Sequence, residues 1–455
     1  MNKTVVIDVV GLSSSVIGEH TPFLKKYIEN RHLNTIEPLL PAVTTSVQST
    51  YVTGKLPDEH GIVGNGWYDR EDCEIKFWKQ SNKLVLAEKI WEAAKKEDPN
   101  FTCSKMFWWY NMYSSADYSV TPRPQYLADG RKNPDCYAHP AELRDELQEK
   151  FGQFPLFQFW GPGANIKSTQ WIADASMYTD DKYNPTLTLI YLPHLDYCLQ
   201  KFGPDLSKIS KELAEVDGVI EQLVTFYEKK KAKIIILSEY GIAPVNQPIH
   251  LNRILRENNL LGIRIERGTE LLDPGASKAF AVADHQVAHV YINDPSVKEK
   301  VKAILEKTSG IELILDREEQ VKYGIDHERS GDFVVMADKN SWFTYYFWVD
   351  DTKAPDYARV VDIHKKPGYD PVEMFMTSKA RAGYKLLRKK LGFRYVMDVI
   401  PLNATLIKGS HGRVNIPAEY KPVLITDNAQ NVNSVQATAI YGIIWDHLIN
   451  KNQAN

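Results

Sequence analysis

An α/β fold with a mainly parallel central sheet, covered by helices on both faces, is what this 455-residue sequence predicts. Three observations carry that expectation. Short β-branched runs at residues 5–10, 187–192 and 234–237 have the length and composition of buried strands. Between the last two, Leu206, Ile209, Leu213, Val216, Ile220 and Leu223 recur every three or four residues. That is the period of an amphipathic helix, and it ends in a lysine-rich turn suited to the helix dipole. Strand, helix and strand in alternation call for a parallel sheet buried on both sides, because each crossover lays a helix on one face.

Further helices are expected at 86–96 and 141–150. Two spans interrupt the alternation: 66–185 is irregular and aromatic, including MFWWYNMYSS, and 262–375 is rich in strand-like segments. Both read as insertions or cap segments within one domain spanning 1–455. The apolar and charged fractions, 43% and 25%, are those of a globular chain with a sizeable core. A net charge of −3 gives no electrostatic case for a nucleic-acid polymer or an anionic membrane. No segment has the 18 apolar residues or so of a spanning helix. The N-terminus passes from one lysine directly into a strand, without the apolar region and cleavage site of a secretory signal. The four cysteines, Cys73, Cys103, Cys136 and Cys198, lack CxxC spacing. They read as inert thiols in a reducing, cytoplasmic setting.

In a parallel sheet the chemistry gathers beyond the carboxyl ends of the strands. Here the first strand runs into Asp8, the 187–192 strand into Pro193-His194-Leu195-Asp196, and the 234–237 strand into Ser238-Glu239-Tyr240-Gly241. Gly409-Ser410-His411-Gly412 follows late in the chain. Taken singly, an acidic residue after a strand is more often a helix cap. Taken together, three carboxylates and an imidazole make an oxygen-rich metal site. The hydroxyl-rich segment PAVTTSVQSTYVTGKLPDEHGIVGN, 41–65, adds a candidate nucleophile.

In this order the motifs resemble the type I phosphodiesterase/nucleotide pyrophosphatase branch of the alkaline phosphatase superfamily, a group that includes phosphonoacetate hydrolase. The residues that carry the likeness are Asp8, then Pro41-Ala42-Val43-Thr44, then Val52-Thr53-Gly54, Pro57, His60-Gly61-Ile62 and Gly64-Asn65. Asp196 with Gly203-Pro204, Ser238 to Gly241, and Gly409 to Gly412 complete it. The resemblance implies an alkaline-phosphatase-like three-layer sandwich and hydrolysis of a phosphodiester, pyrophosphate or phosphonate in a small phosphorylated substrate. It makes Thr44 the nucleophile of a phospho-threonine intermediate and Asn65 a donor to the phosphoryl oxygens. Two divalent metal ions are implied, zinc by the family's habit, with manganese or magnesium as harder alternatives. Asp8, Glu239 and Thr44 would hold one, with Tyr240 where the family has histidine. Asp196 and His411 would hold the other, with Gln200 in place of a second histidine.

Because two histidine ligands are replaced, His194, His250, His285 and His364 are candidate substitutes. Two other readings follow from the same residues: a phosphomonoesterase or sulfatase-like hydrolase on this scaffold, and a non-catalytic member that binds a phosphorylated ligand. Thr45 is the rival nucleophile. Ser46, Ser49 and Thr50 are expected to bond the backbone of their own helix, and His60 to brace the turn after it. Phe107 to Tyr110 read as core before they read as a stacking platform.

Overall fold

Two larger β-sheets flanked by helices organise the chain; the structure, a computed structural model, describes residues 1–428, 430 and 432–449. In chain order the strands are β1 (Thr4–Val9), β2 (His32–Glu37), β3 (Cys103–Met106), β4 (Tyr118–Pro122), β5 (Cys136–His139), β6 (Leu187–Leu192) and β7 (Lys233–Leu237). Then come β8 (Ala279–Asp284), β9 (Val287–Ile292), β10 (Ile311–Leu315), β11 (Phe333–Ala337), β12 (Val423–Thr426) and β13 (Ser434–Gln436). The helices are α1 (Thr44–Thr53), α2 (Ile90–Glu97), α3 (Ala141–Phe151), α4 (Ile166–Tyr183), α5 (His194–Phe202), α6 (Leu206–Lys229), α7 (Lys379–Lys390) and α8 (Ala439–Ile449).

The central sheet has nine strands in the order β13-β2-β12-β7-β1-β6-β3-β4-β5. From β7 to β4 all pairings are parallel, while β12 and β5 run antiparallel to their neighbours. The alternation of side chains along β1 shows how both faces are buried. Val5, Ile7 and Val9 pack with Trp171 of α4 and with Leu213 and Ile220 of α6. Val6 points the other way, into a cluster with Tyr51 of α1, Trp91 of α2 and Ile444 of α8. Two-sided burial is why β1, β6 and β7 read as uninterrupted apolar runs rather than alternating ones.

The expected helix at 86–96 begins later, at Ile90. The Glu92 carboxylate accepts the backbone N–H of Lys89 at 3.0 Å and so closes the first turn there. The two spans expected to lie over the site divide differently. Residues 66–185 contribute β3, β4 and β5 to the central sheet and α2, α3 and α4 to its faces. These strands are four or five residues long and carry Lys105, Ser104 and Ser119 in place of a β-branched run, so their pattern is weak in the sequence. Residues 262–375 build a separate antiparallel sheet, ordered β8-β9-β11-β10, whose β8–β9 hairpin reaches back to the edge of the first sheet.

Candidate functional site

Three neighbouring parallel strands deliver the carboxylates to one edge. Asp8 lies near the end of β1, Glu239 two residues beyond β7, and Asp196 in the first turn of α5 just past β6. All three are almost fully buried, at 0%, 1% and 7% exposure. Facing them is the start of α1. Its N-cap, Val43, is extended, so Thr44 is the first helical residue and its hydroxyl sits where unpaired helical N–H groups favour an anion. The helix ends at Gly54 with φ +67°, a left-handed cap that glycine adopts without strain.

The hydroxyls of α1 separate by role. Ser49 donates to the Thr45 carbonyl and Thr53 to that of Ser49, both at 2.7 Å, the back-bonding expected of Ser and Thr inside a helix. Thr50 instead meets His60 Nε2 at 3.0 Å, and His60 Nδ1 accepts the Ile62 N–H at 3.1 Å, bracing the turn. The Thr45 hydroxyl is bound to the Gly64 carbonyl at 2.8 Å. Ser46, expected to bond the helix backbone as well, instead has its Oγ buried without a partner. Thr44 Oγ1 lies 3.1 Å from the Tyr240 hydroxyl.

Asn65 is held on two sides. Its Oδ1 accepts the Thr45 N–H at 3.1 Å, and Asp284 accepts both its backbone N–H at 2.8 Å and its Nδ2 at 3.1 Å. Asp284 ends β8, so the second sheet fixes the amide that lies beside Thr44. His285 follows in the hairpin turn with φ +60°, a left-handed conformation that a turn at this point usually gives to glycine. A non-glycine residue held there at some strain is a mark of functional sites. Its Nδ1 lies 2.8 Å from Asp284 Oδ1.

On the carboxylate side, neutral donors fill the positions between the acids. Gln48, one turn beyond Thr44 on α1, donates its single amide nitrogen to both Glu239 and Asp8. Its carbonyl accepts the Trp109 N–H at 2.7 Å. Tyr240 donates to Asp196 Oδ1 at 3.2 Å and Gln200 to Asp196 Oδ2 at 2.8 Å. The Gln200 carbonyl in turn accepts the Tyr369 hydroxyl at 3.0 Å. Tyr369 belongs to a loop clamped from below by Lys366, whose ammonium is 2.7 Å from both Asp370 and Glu373 and is 1% exposed. Four rings stack across the site: Tyr240 on His411 at 3.5 Å, His411 by His285 at 3.8 Å, His285 on Tyr369 at 3.6 Å.

The electrostatics follow from this burial. Desolvation, then the charge of Glu239, pushes the Asp8 carboxyl well above the usual carboxylate range. Burial likewise raises Glu239 and Asp196 to about 7 and Asp284 to about 6. His411 and His285 are driven well below their ordinary value by the same loss of water, so both are neutral. His411 Nδ1 is 2.7 Å from the Ala42 carbonyl and must be its protonated nitrogen, which leaves an unprotonated Nε2 with no partner, 3.8 Å from Asp196. Asp8 Oδ1 and Glu239 Oε2 are likewise buried without a partner.

The eight residues singled out in the sequence, Asp8, Thr44, Asn65, Asp196, Gln200, Glu239, Tyr240 and His411, thus lie buried together beyond the strand ends. Of the four substitute histidines only His285 is there. His194 is buried with its Nε2 3.5 Å from Glu215, His250 bonds Thr344, and His364 meets the Phe77 carbonyl. Sequence reasoning missed Gln48, Asp284 and Tyr369. Helical spacing from Thr44 could have found Gln48; nothing local announces the other two. Phe107, Trp108 and Tyr110 are core, and Trp109 is half-buried against Trp78 at 4.8 Å.

A buried threonine at a helix start thus faces carboxylates from adjacent strand ends in a mainly parallel α/β sheet. The type I phosphodiesterase/nucleotide pyrophosphatase family model matches residues 4–370, and the chain belongs to that family. Its members hydrolyse phosphodiester, pyrophosphate or phosphonate bonds and are typically dinuclear metal enzymes. An uncharacterized pyrophosphatase/phosphodiesterase of Schizosaccharomyces pombe is 27% identical over 53% of this chain and 44% of its own length. Ectonucleotide pyrophosphatase/phosphodiesterase 2 of Saccharomyces cerevisiae is 23% identical over 79% of this chain and 68% of its own. The chain thus spans less than half of the first relative. Among solved structures, murine ectonucleotide pyrophosphatase/phosphodiesterase 5, in an inactive form with AMP, superposes with a TM-score of 0.59 at 14% identity, covering 100% of this chain and 96% of that one. Phosphonoacetate hydrolase from Sinorhizobium meliloti gives 0.62 at 13%, covering 98% and 96%. These two likenesses show the alkaline-phosphatase-like fold.

The donor set fits one cation better than two. Asp8 Oδ1 and Glu239 Oε2 are buried without a partner, and with the Thr44 hydroxyl they are hard oxygens of the kind a magnesium or manganese ion takes. The second position offers Asp196 and His411, but both Asp196 oxygens already accept from Tyr240 and Gln200. Among the described residues no group of three or more His, Cys, Asp or Glu is arranged to hold a metal.

Proposed function

We propose that the chain hydrolyses a small phosphodiester, pyrophosphate or phosphonate with Thr44 as the nucleophile. The observation that carries this reading is the Thr44–Tyr240–Asp196 line of hydrogen bonds at 3.1 and 3.2 Å. An ionised Asp196 only accepts, so Tyr240 donates to it, and Thr44 donates to Tyr240. As Thr44 Oγ bonds to phosphorus, the bond to the leaving group breaks and that group departs with the electron pair, taking a proton from solvent; the Thr44 proton passes to Tyr240 while that of Tyr240 passes to Asp196. Water then bonds to phosphorus and gives one proton to solvent, the P–O bond to Thr44 breaks, and Thr44 Oγ regains a proton from Tyr240 as Tyr240 takes back the one on Asp196. Asn65, oriented by Asp284, keeps one amide N–H free for a phosphoryl oxygen as charge develops. Asp8, Glu239 and Thr44 would hold one divalent cation of the magnesium or manganese kind, which would supply Lewis-acid stabilisation of negative charge. The nucleotide seen with the murine relative makes a nucleotide ester a reasonable first substrate.

A second reading, a non-catalytic member that binds a phosphorylated ligand, is favoured by Gln200 and Tyr240 at positions where the family pattern has histidine. The test is hydrolysis of bis-p-nitrophenyl phosphate against the monoester, with Mg²⁺, Mn²⁺ or Zn²⁺ in turn. Diesterase activity that falls at least about 10³-fold in Thr44→Ala supports the first reading. Full activity in that variant rejects Thr44. No turnover with any cation, together with AMP binding by calorimetry, supports the second.

A further inference from the structure

Immediately beyond the family-matched span, the chain turns from a buried loop to an almost wholly exposed segment, 376–396. Seven cationic side chains, Lys379, Arg381, Lys385, Arg388, Lys389, Lys390 and Arg394, fall within 379–394, and no acidic residue does. The chain's net charge is −3, so the remainder carries −10 and the positive charge is local to this surface.

The same segment is apolar. Tyr384, Leu386, Leu387, Leu391, Phe393 and Val396 are each 53–62% exposed. With Met376 they make up seven of the 19 exposed large hydrophobic residues among those described, within 21 consecutive positions. A surface helix normally turns its apolar stripe to the core. In α7 the reverse holds. Ala382 is the only buried residue of the helix, while Ala380, Tyr384, Leu387 and Leu391, spaced by four, three and four, form one outward stripe. Helical spacing puts Arg381 and Arg388 along one border of that stripe, and Lys379 and Lys390 along the other. Asp398 grips the underside through Lys385 at 2.7 Å and through Arg381, and Ser378 caps the first turn. The remaining cations have no carboxylate partner among the described residues.

We infer that this face docks on an anionic lipid surface, with the leucine and aromatic stripe entering the headgroup boundary and the flanking cations meeting lipid phosphates. Apolar side chains ringed by lysine and arginine on one helical face are what an interfacial helix requires. A second copy of the chain would bring two surfaces of like charge together. A nucleic-acid backbone would satisfy the cations and leave the leucines in water. No helix among the described residues is long and apolar enough to cross a membrane.

The test is flotation of the full-length protein with phosphatidylcholine vesicles, with and without about a third phosphatidylserine. The expected result is at least tenfold more binding to the anionic vesicles, lost at 0.5 M NaCl and not competed by 10 mM inorganic phosphate. Leu387→Ser with Leu391→Ser, and separately Lys379→Gln with Lys390→Gln, each lower binding at least tenfold while circular dichroism and any hydrolytic activity stay unchanged. Equal binding to neutral vesicles, or none to either, overturns the proposal. So does a dimer by light scattering that Leu387→Ser abolishes, or a shift of RNA mobility that the lysine variant alone removes.

Discussion

The two walls of the site are built on opposite principles. The wall of Thr44, Thr45 and Asn65 keeps the motif residues Thr44 and Asn65, and the side-chain oxygens of Thr45, Asn65 and Asp284 there all have hydrogen-bond partners. The wall of Asp8, Glu239, Asp196 and His411 departs from the pattern at Gln200 and Tyr240 and leaves buried oxygen and nitrogen atoms unmatched. A cradle that only positions neutral groups can be completed by the protein itself. A cluster of buried carboxylates cannot; it needs a proton or a cation to offset the charge. Gln48 and Tyr240 supply hydrogen bonds, which soften that need without removing it.

The largest effect that would sharpen this contrast is on cation binding. Mn²⁺ titrated calorimetrically should bind with one equivalent per chain. Asp8→Asn, which mimics the protonated acid and so preserves the fold, should weaken binding by about 100-fold or more. Two equivalents of equal affinity would erase the distinction between the walls. A smaller effect is expected at Asp284→Asn, which breaks the grip on Asn65 without touching the carboxylate wall. We expect kcat to fall by about 10- to 100-fold at unchanged Mn²⁺ affinity; a loss of cation binding instead would show that the walls are one unit.

The smallest effect concerns stability. His60, behind the cradle, has its pKa pulled down to about 3 by burial, helped by the positive charges of His327 and Arg329. An unfolded histidine titrates near 6.5, so the unfolded chain takes up a proton that the folded one refuses between those values. The stability is fully present above about pH 6.5 and is lost as pH falls toward 3, at up to about 1.4 kcal/mol per pH unit. Denaturant melts of His60→Gln at pH 5, 6 and 7 should show a shallower acid slope than the parent. Identical slopes would mean that His60 is charged in the native state.

Much of this was legible beforehand. The apolar runs of β1, β6 and β7 and the periodicity of α6 gave the layered architecture, because two-sided burial writes itself into composition. The motif order named eight residues that the fold brings together, since strand ends and a helix start are recognisable locally. What could not be read came from elsewhere in the chain. Asp284 meets Asn65 only because a hairpin from the second sheet reaches across 219 positions of sequence. Tyr369 covers the site through a loop with no strand or helix of its own. The charge of the whole chain, −3, also hid the cationic face of α7, because a sum says nothing about placement.

The clamp beneath Tyr369 bears on that face. Lys366, Asp370 and Glu373 are held out of water, where dissolved ions do not reach, whereas the cations of α7 stand in it. Mobile salt screens charges in solvent over about 8–10 Å at physiological strength and leaves buried pairs nearly untouched. Tyr369 and Lys379 are only ten residues apart, yet one ion system ignores ionic strength and the other responds to it. A rise in salt can therefore release the molecule from a charged surface while the bond from Tyr369 to Gln200 stays in place.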